Sequence, residues 1–168
     1  MDVKAVCEAA RAGGAVTMLD NTWATPLYFR PLEHGVDLSI HALTKYPGGH
    51  SDVMMGSVSA TKATFKQLRE TQLQIGVNAA PDDTYLVIRG LKTMGIRLER
   101  HQASALELAT WLEAREEVAE VRHPALPSFF DRALYERQFT GSSGLFSFLL
   151  PGSFRRTAAF LDALDLSG

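Results

Sequence analysis

Ser39-Ile40-His41-Ala42-Leu43-Thr44-Lys45-Tyr46-Pro47-Gly48-Gly49-His50-Ser51-Asp52 is the stretch on which the reading of this chain turns. Residues 36–41 have the pattern of a strand. They run into a segment that carries Lys45 and then Gly48-Gly49, where the backbone is free to turn sharply. Upstream, Asp20 stands in Leu19-Asp20-Asn21-Thr22-Trp23-Ala24-Thr25-Pro26, at the carboxyl end of a short apolar run over residues 15–19. That run reads as a strand buried on both faces. In open α/β sheets, ligands bind outside the carboxyl ends of the strands. The chain therefore delivers an amine and a carboxylate to the edge where chemistry is done.

An amine and an acid in that relation are what pyridoxal phosphate chemistry requires. The lysine amine forms a Schiff base with the cofactor aldehyde, and the aspartate keeps the pyridine nitrogen protonated. A lysine is ordinarily a solvated surface charge. Here Thr44 precedes it directly, with a hydroxyl able to donate to a phosphate. Apolar neighbours and a cationic cofactor nitrogen would lower the proton affinity of Lys45, making it a usable nucleophile and base. For Asp20, a turn residue or a helix cap are the alternatives. Asp-Asn-Thr-Trp does not look like a helix start, and Pro26 discourages a helix just behind it. A buried carboxylate there needs a positive partner, which a pyridinium would supply. Thr22 shares the side of Asp20 if the segment stays extended. Its reading as a strand former without a ligand stands beside that one. Lys45 is thus the candidate catalytic residue, and Asp20, Thr22, Thr44 and Lys45 are the candidate cofactor contacts.

Bulk properties narrow the class. The 168 residues are 46% apolar and 21% charged, with a formal net charge of -2. Those values suit a globular domain and give no reason to expect nucleic acid or an anionic membrane as partner. No run of eighteen apolar residues and no signal peptide pattern is visible. The single cysteine, Cys7, excludes an intrachain disulfide framework and fits a reducing cytoplasm. It falls on a helix face as a small buried apolar residue.

Helices are expected over residues 3–12, 62–75, from Pro81, over 96–113, around 130–138 and from Ser153. Further strands are expected over 54–60, 119–123 and 145–150. His50 and Asp52 form no metal-ligand set with the other histidines and read as loop-stabilising groups. Gly48-Gly49 is not a phosphate-binding fingerprint. Gly141-Ser142-Ser143-Gly144 reads as a turn into the strand at 145–150 rather than a nucleophile elbow. Arg97, Arg100 and His101, on the long helix, read as a solvated or interdomain face.

Four blocks carry a resemblance. They are Leu19-Asp20-Asn21-Thr22-Trp23-Ala24-Thr25-Pro26; Thr44-Lys45-Tyr46 with Gly49-His50-Ser51-Asp52; Asp82-Asp83-Thr84-Tyr85-Leu86-Val87-Ile88-Arg89-Gly90-Leu91-Lys92-Thr93-Met94; and His123-Pro124-Ala125-Leu126-Pro127 with Phe139-Thr140-Gly141-Ser142-Ser143-Gly144-Leu145-Phe146-Ser147. In this order they resemble the pyridoxal-phosphate-dependent enzymes of cysteine and methionine metabolism, the cystathionine lyase/synthase family. The last two blocks look most like its bacterial β-lyase branch.

The resemblance implies Lys45 as the Schiff-base lysine, Asp20 as partner of the pyridine nitrogen, Thr22 beside it, and Thr44 on the phosphate. Ala42 stands where many members carry a phosphate-binding serine, which bacterial β-lyases often lack too. Ser128-Phe129-Phe130-Asp131-Arg132 departs from the usual wording. The implied fold is α/β, a partial type I, aspartate-aminotransferase-like fold with a mostly parallel sheet. Residues 1–92 would be the C-terminal part of the cofactor-binding domain. Residues 93–168 would be a linking helix and the first part of an α/β C-terminal domain.

The implied activity is β-elimination of cystathionine in a homotetramer, with a γ-synthase or γ-lyase reaction, or a non-catalytic partner-binding remnant, as alternatives. The resemblance further implies a central fragment. The phosphate loop, the ring that stacks on the cofactor and the arginine for the substrate carboxylate would lie outside it.

Overall fold

The computed structural model describes residues 1–165. The chain opens with helix α1, Val3–Ala12, capped by the Asp2 carboxylate on the Ala5 amide at 3.2 Å and stopped at Gly13. Its inner face buries Val3 and Cys7, as the sequence leads one to expect of that cysteine. Strand β1, Met18–Asp20, follows. It starts later than the apolar run because the amide and hydroxyl of Thr17 are bound to the Asp37 carboxylate, at 2.9 and 2.8 Å. Helix α2 is one turn, Thr25–Tyr28, and a 3₁₀ turn spans Pro31–His34. Pro26 lies inside the first turn of α2, where a missing N–H leaves no bond unmade. The helix that Pro26 is expected to discourage therefore forms, though briefly, and Asp20 is not its cap.

Strands β2, Leu38–Ala42, and β3, Gly56–Ala60, complete a three-stranded sheet in the order β1-β2-β3. β1 runs parallel to β2, with Asp20 opposite Ile40; β3 is antiparallel, with Gly56 opposite Ala42. Among the described residues the sheet thus has one parallel and one antiparallel pairing. β1 is its edge, and Met18 is 67% exposed. The expectation of a strand covered on both faces fails because cover lies on one face: Leu19 packs on the Val3 and Cys7 cluster, whereas Met18, pointing the other way, is exposed.

Helix α3, Lys62–Ile75, buries no side chain. Helix α4, Pro81–Leu91, has Pro81 at its start and Asp82 and Asp83 in the first turn, where the helix dipole favours acids. The long helix α5, Met94–Glu113, buries Leu98, Ala105, Ala109 and Leu112 along one side. Beyond it, β4, Glu120–Arg122, pairs antiparallel with β5, Ser147–Leu149. Helix α6, Arg132–Gln138, lies between those strands, and α7, Phe154–Asp162, follows them.

Two apolar clusters hold this together. The first joins Val3, Cys7, Ala24, Phe29 and Val36, flanked by Trp23 and Phe139. The second joins Ala109, Leu112, Val121 and Leu126, flanked by Phe146 and Phe148. Between them, the Trp23 indole donates to Leu145 O at 2.7 Å and the Thr140 amide donates to Tyr28 O at 3.0 Å. The segment ahead of β5 is thereby brought over the carboxyl ends of β1 and β2. Among the described residues no helix is long and apolar enough to cross a membrane.

Candidate active site

Asp20 ends β1. The chain turns immediately behind it, so that the Thr22 amide donates to the Asp20 carboxylate at 2.8 Å. The Thr22 hydroxyl accepts from the Ala42 amide at 2.8 Å, leaving its proton for the carboxylate. The hydroxyl and then the amide of Thr22 hold the Asp20 carboxyl below the usual carboxylate range. Partial burial opposes this, and nearby His41 favours it. Asp20 is exposed rather than buried, so it needs no counter-ion of its own in the fold. Thr22 bridges the two parallel strands through Ala42, which has no hydroxyl to offer but spends its amide here.

His41 is buried, and burial pushes its imidazole pKa down, against the pull of the Asp20 carboxylate. Its Nε2 has no hydrogen-bond partner among the described residues.

Lys45 follows β2 by a turn. Its amide donates to Ala42 O at 3.1 Å, and its carbonyl accepts from the Gly49 amide at 2.8 Å. Gly49 has φ of 74°, the left-handed region that glycine adopts without strain. The Lys45 side chain is exposed, and no hydrogen bond or ion pair holds its amine among the described residues. Thr44 is differently engaged from what its sequence position leads one to expect. Its hydroxyl accepts from the Met55 amide at 3.0 Å and lies 3.3 Å from Met55 O. It therefore ties the lysine turn to the approach of β3 instead of standing free as a donor. Asp52 pairs with Arg89 of α4 at 2.7 Å, and His50 bonds Gly48 O at 2.7 Å, so both stabilise the loop.

Asp20, Thr22, Thr44 and Lys45 line one cavity of about 960 Å³, together with Trp23, Tyr46, Arg97, His101 and Leu145. Its location, beyond the carboxyl ends of β1 and β2, is the ligand position of an open α/β sheet. Arg97 and His101 line this cavity, a role that the reading of their helix face as solvated or interdomain did not assign them. They lie one helical turn apart, and that spacing was the available signal that they share a face. Arg100 remains exposed. Tyr46 was also missed as a site residue. Its hydroxyl accepts from the Gly144 amide at 3.1 Å and its ring meets His101 edge-on.

A family profile described as Cys/Met metabolism PLP-dependent enzyme matches residues 1–167. The chain belongs to that family. Family members use pyridoxal phosphate, and the cavity suits it: an unpartnered amine and an ionised carboxylate open on the same space. A putative cystathionine beta-lyase of Rhizobium johnstonii is 56% identical over 172 residues, covering 99% of this chain and 43% of that protein. A cystathionine beta-lyase of Salmonella typhimurium is 44% identical over 169 residues, covering 98% of this chain and 43% of that protein. In structure, the chain is similar to cystathionine gamma synthase from Xanthomonas oryzae pv. oryzae, solved in complex with cystathionine. The TM-score is 0.91 at 38% identity, with 98% of this chain and 43% of that one covered. The α/β architecture is therefore that of part of a pyridoxal-phosphate-dependent cystathionine enzyme. The chain spans less than half the length of these relatives.

Proposed function

We propose that this chain carries the cofactor lysine, Lys45, and the ring-nitrogen carboxylate, Asp20, of a carbon–sulfur lyase. The whole enzyme would cleave L-cystathionine with water to homocysteine, pyruvate and ammonia. One observation carries the reading: the free amine of Lys45 and the ionised carboxylate of Asp20 face a common cavity from adjoining parallel strands. Thr22 supports Asp20, and Thr44 anchors the lysine turn and borders the same space.

Pyridoxal phosphate, when bound, supplies an electron-poor ring that takes up the electron pair left on the substrate Cα. The protein supplies the rest. Asp20, held ionised by Thr22, would keep the proton on the pyridine nitrogen. Lys45 would hold the cofactor and, once displaced by the substrate amine, take the Cα proton on Nζ. Its exposed position on a tightly bonded turn lets the amine make both moves while its backbone stays fixed. Loss of that proton sets up departure of the β-sulfur substituent.

The β-lyase assignment rests on the identity to the Rhizobium and Salmonella proteins. A γ-type reaction is the second reading, favoured by the likeness to the Xanthomonas gamma synthase. Pyruvate as the keto acid released from cystathionine supports the first, and 2-oxobutyrate the second. Residues 1–92 are read as the end of the cofactor domain, and 93–168 as the linking helix and the start of the smaller domain. The second apolar cluster, which lies wholly within 93–168, supports that division. The setting proposed is cytoplasmic, in a homotetramer of the full-length protein. These 168 residues alone are expected to turn over cystathionine slowly or not at all.

The direct test is to treat the protein with pyridoxal phosphate and borohydride and to map the label by peptide mass. Label on Lys45 is the expected result. Label confined to other lysines refutes the assignment, and no stable label favours a non-catalytic, partner-binding remnant.

A further inference from the structure

The lysine turn is held from outside by a residue to which the reaction above gives no role. Arg97, on the first turn of α5, directs Nη2 to two main-chain carbonyls, Tyr46 O at 2.8 Å and Gly90 O at 2.8 Å. Its Nε donates to the Thr93 hydroxyl at 3.1 Å, and that hydroxyl donates to Gly90 O at 3.2 Å. The remaining face of the guanidinium fills the space that a Cβ on Gly49 would occupy. Among the described residues no carboxylate pairs with it. Burial pushes its pKa down, though arginine remains charged throughout the working range. An arginine half-buried without an acid partner, its donors committed to carbonyls, makes charge-assisted hydrogen bonds where neutral ones would be weaker.

The position of those carbonyls matters. Tyr46 is the residue after Lys45, and Gly49 is the residue whose amide closes the turn onto Lys45 O at 2.8 Å. Gly90 reinforces the same fixture. A Cβ there would overlap the carbonyls of Pro47 and Gly48, so α4 touches the turn with bare backbone. The chain on the far side of Lys45 is thus gripped at Tyr46, Gly48 and Gly49, while the lysine side chain is left unbound. An amine that must first bond a cofactor and later collect a proton gains from a fixed origin and a mobile tip.

We propose that Arg97 is a positioning residue for Lys45: through Tyr46 O and Gly49 it fixes the main chain from which the amine reaches the cofactor. This rests on the reading of Lys45 as the cofactor lysine, and the test separates the two.

Two measurements are made on the parent protein and on the R97M, R97K and T93A variants. The first is amide hydrogen exchange at Gly48 and Gly49 without cofactor. The second is the rate at which borohydride fixes pyridoxal phosphate on Lys45. R97M should exchange faster at both glycines and acquire label about tenfold more slowly, with an unchanged helical circular dichroism spectrum. R97K, which keeps the charge but loses the forked geometry, should fall between R97M and the parent. T93A removes the hydroxyl under Nε together with the γ-methyl and should slow labelling roughly threefold. It carries the test if R97M does not fold.

Unchanged exchange and unchanged labelling in folded R97M, or in T93A where R97M is unfolded, overturn the proposal. A parent protein that takes no label at Lys45 refutes the lysine assignment instead. The exchange data alone then decide whether Arg97 grips the turn.

Discussion

Asp20 is held by its own neighbours, whereas Lys45 is held from across the chain. The carboxylate takes its bonds from Thr22, two residues on, and Thr22 in turn is fixed by Ala42 on the adjoining strand. The lysine turn closes on itself through Ala42 and Gly49, but its outer wall is α4 and α5, through Gly90, Arg89 and Arg97. The Tyr46 hydroxyl extends that wall to Gly144, ahead of β5. The acid should therefore keep its geometry under changes remote in sequence, and the amine should not. One half of the site belongs to a short peptide motif, and the other half to the tertiary fold.

The comparison can be broken most directly at Lys45. Lys45→Ala should abolish the borohydride-stable label. It should shift urea unfolding by no more than about 0.5 kcal/mol, because the exposed side chain has no hydrogen-bond or ion-pair partner among the described residues. Substantial residual labelling at another lysine would separate the amine from the site. Gly90→Ala comes next. Alanine favours a helix interior over glycine by roughly 0.5–1 kcal/mol. The overlap of its Cβ with Pro47 O and Gly48 O outweighs that gain, and a net loss of about 2 kcal/mol is expected by urea denaturation. Labelling of Lys45 should slow while the Asp20 titration, followed by carboxyl NMR, stays in place. Movement of both would show that the two arms are one unit.

Thr22→Val probes the local arm. It leaves the Ala42 amide without its acceptor, at a cost of about 1 kcal/mol. It should also raise the Asp20 pKa toward the ordinary carboxylate range, since the Thr22 hydroxyl is the largest influence holding it down. An unmoved titration would assign that influence elsewhere.

The smallest expected effect is on pH dependence. Burial lowers the His41 pKa in the folded chain. As pH falls below about 6.5, the unfolded state binds more protons than the folded one, and stability is lost toward the lowered folded pKa. His123 is shifted in the same direction. His41→Asn should therefore flatten, without removing, the fall in the urea midpoint between pH 7 and pH 5. An identical pH profile would place the His41 titration at its ordinary value.

This contrast also explains what the sequence made legible. Asp20 and Lys45 could be read because each stands at a strand end within a few residues of its turn. Helix α1 has its Asp2 cap, α3 its Gly76 stop and α4 its Pro81 start, and α3 appears over the expected residues even though it buries nothing. Arg97 was not legible as a site residue. Its carbonyl partner on Tyr46 lies 51 positions away, and periodicity on a helix says which residues share a face but not what that face meets. The Met55 contacts of the Thr44 hydroxyl were not legible for a related reason. Proximity to the lysine is visible in the sequence, but the competing Met55 backbone enters only when β3 pairs with β2. The exposure of Met18 follows the same logic, since apolar content shows that a strand wants cover and the elements packed on each face decide whether it has it.

Tyr46 gives the site a link between its two walls. Its backbone carbonyl is taken by Arg97 and its hydroxyl by the Gly144 amide, so a displacement of the segment before β5 arrives one peptide bond from the Lys45 main chain. Whatever settles onto that segment would be felt at Lys45 mechanically, without touching it.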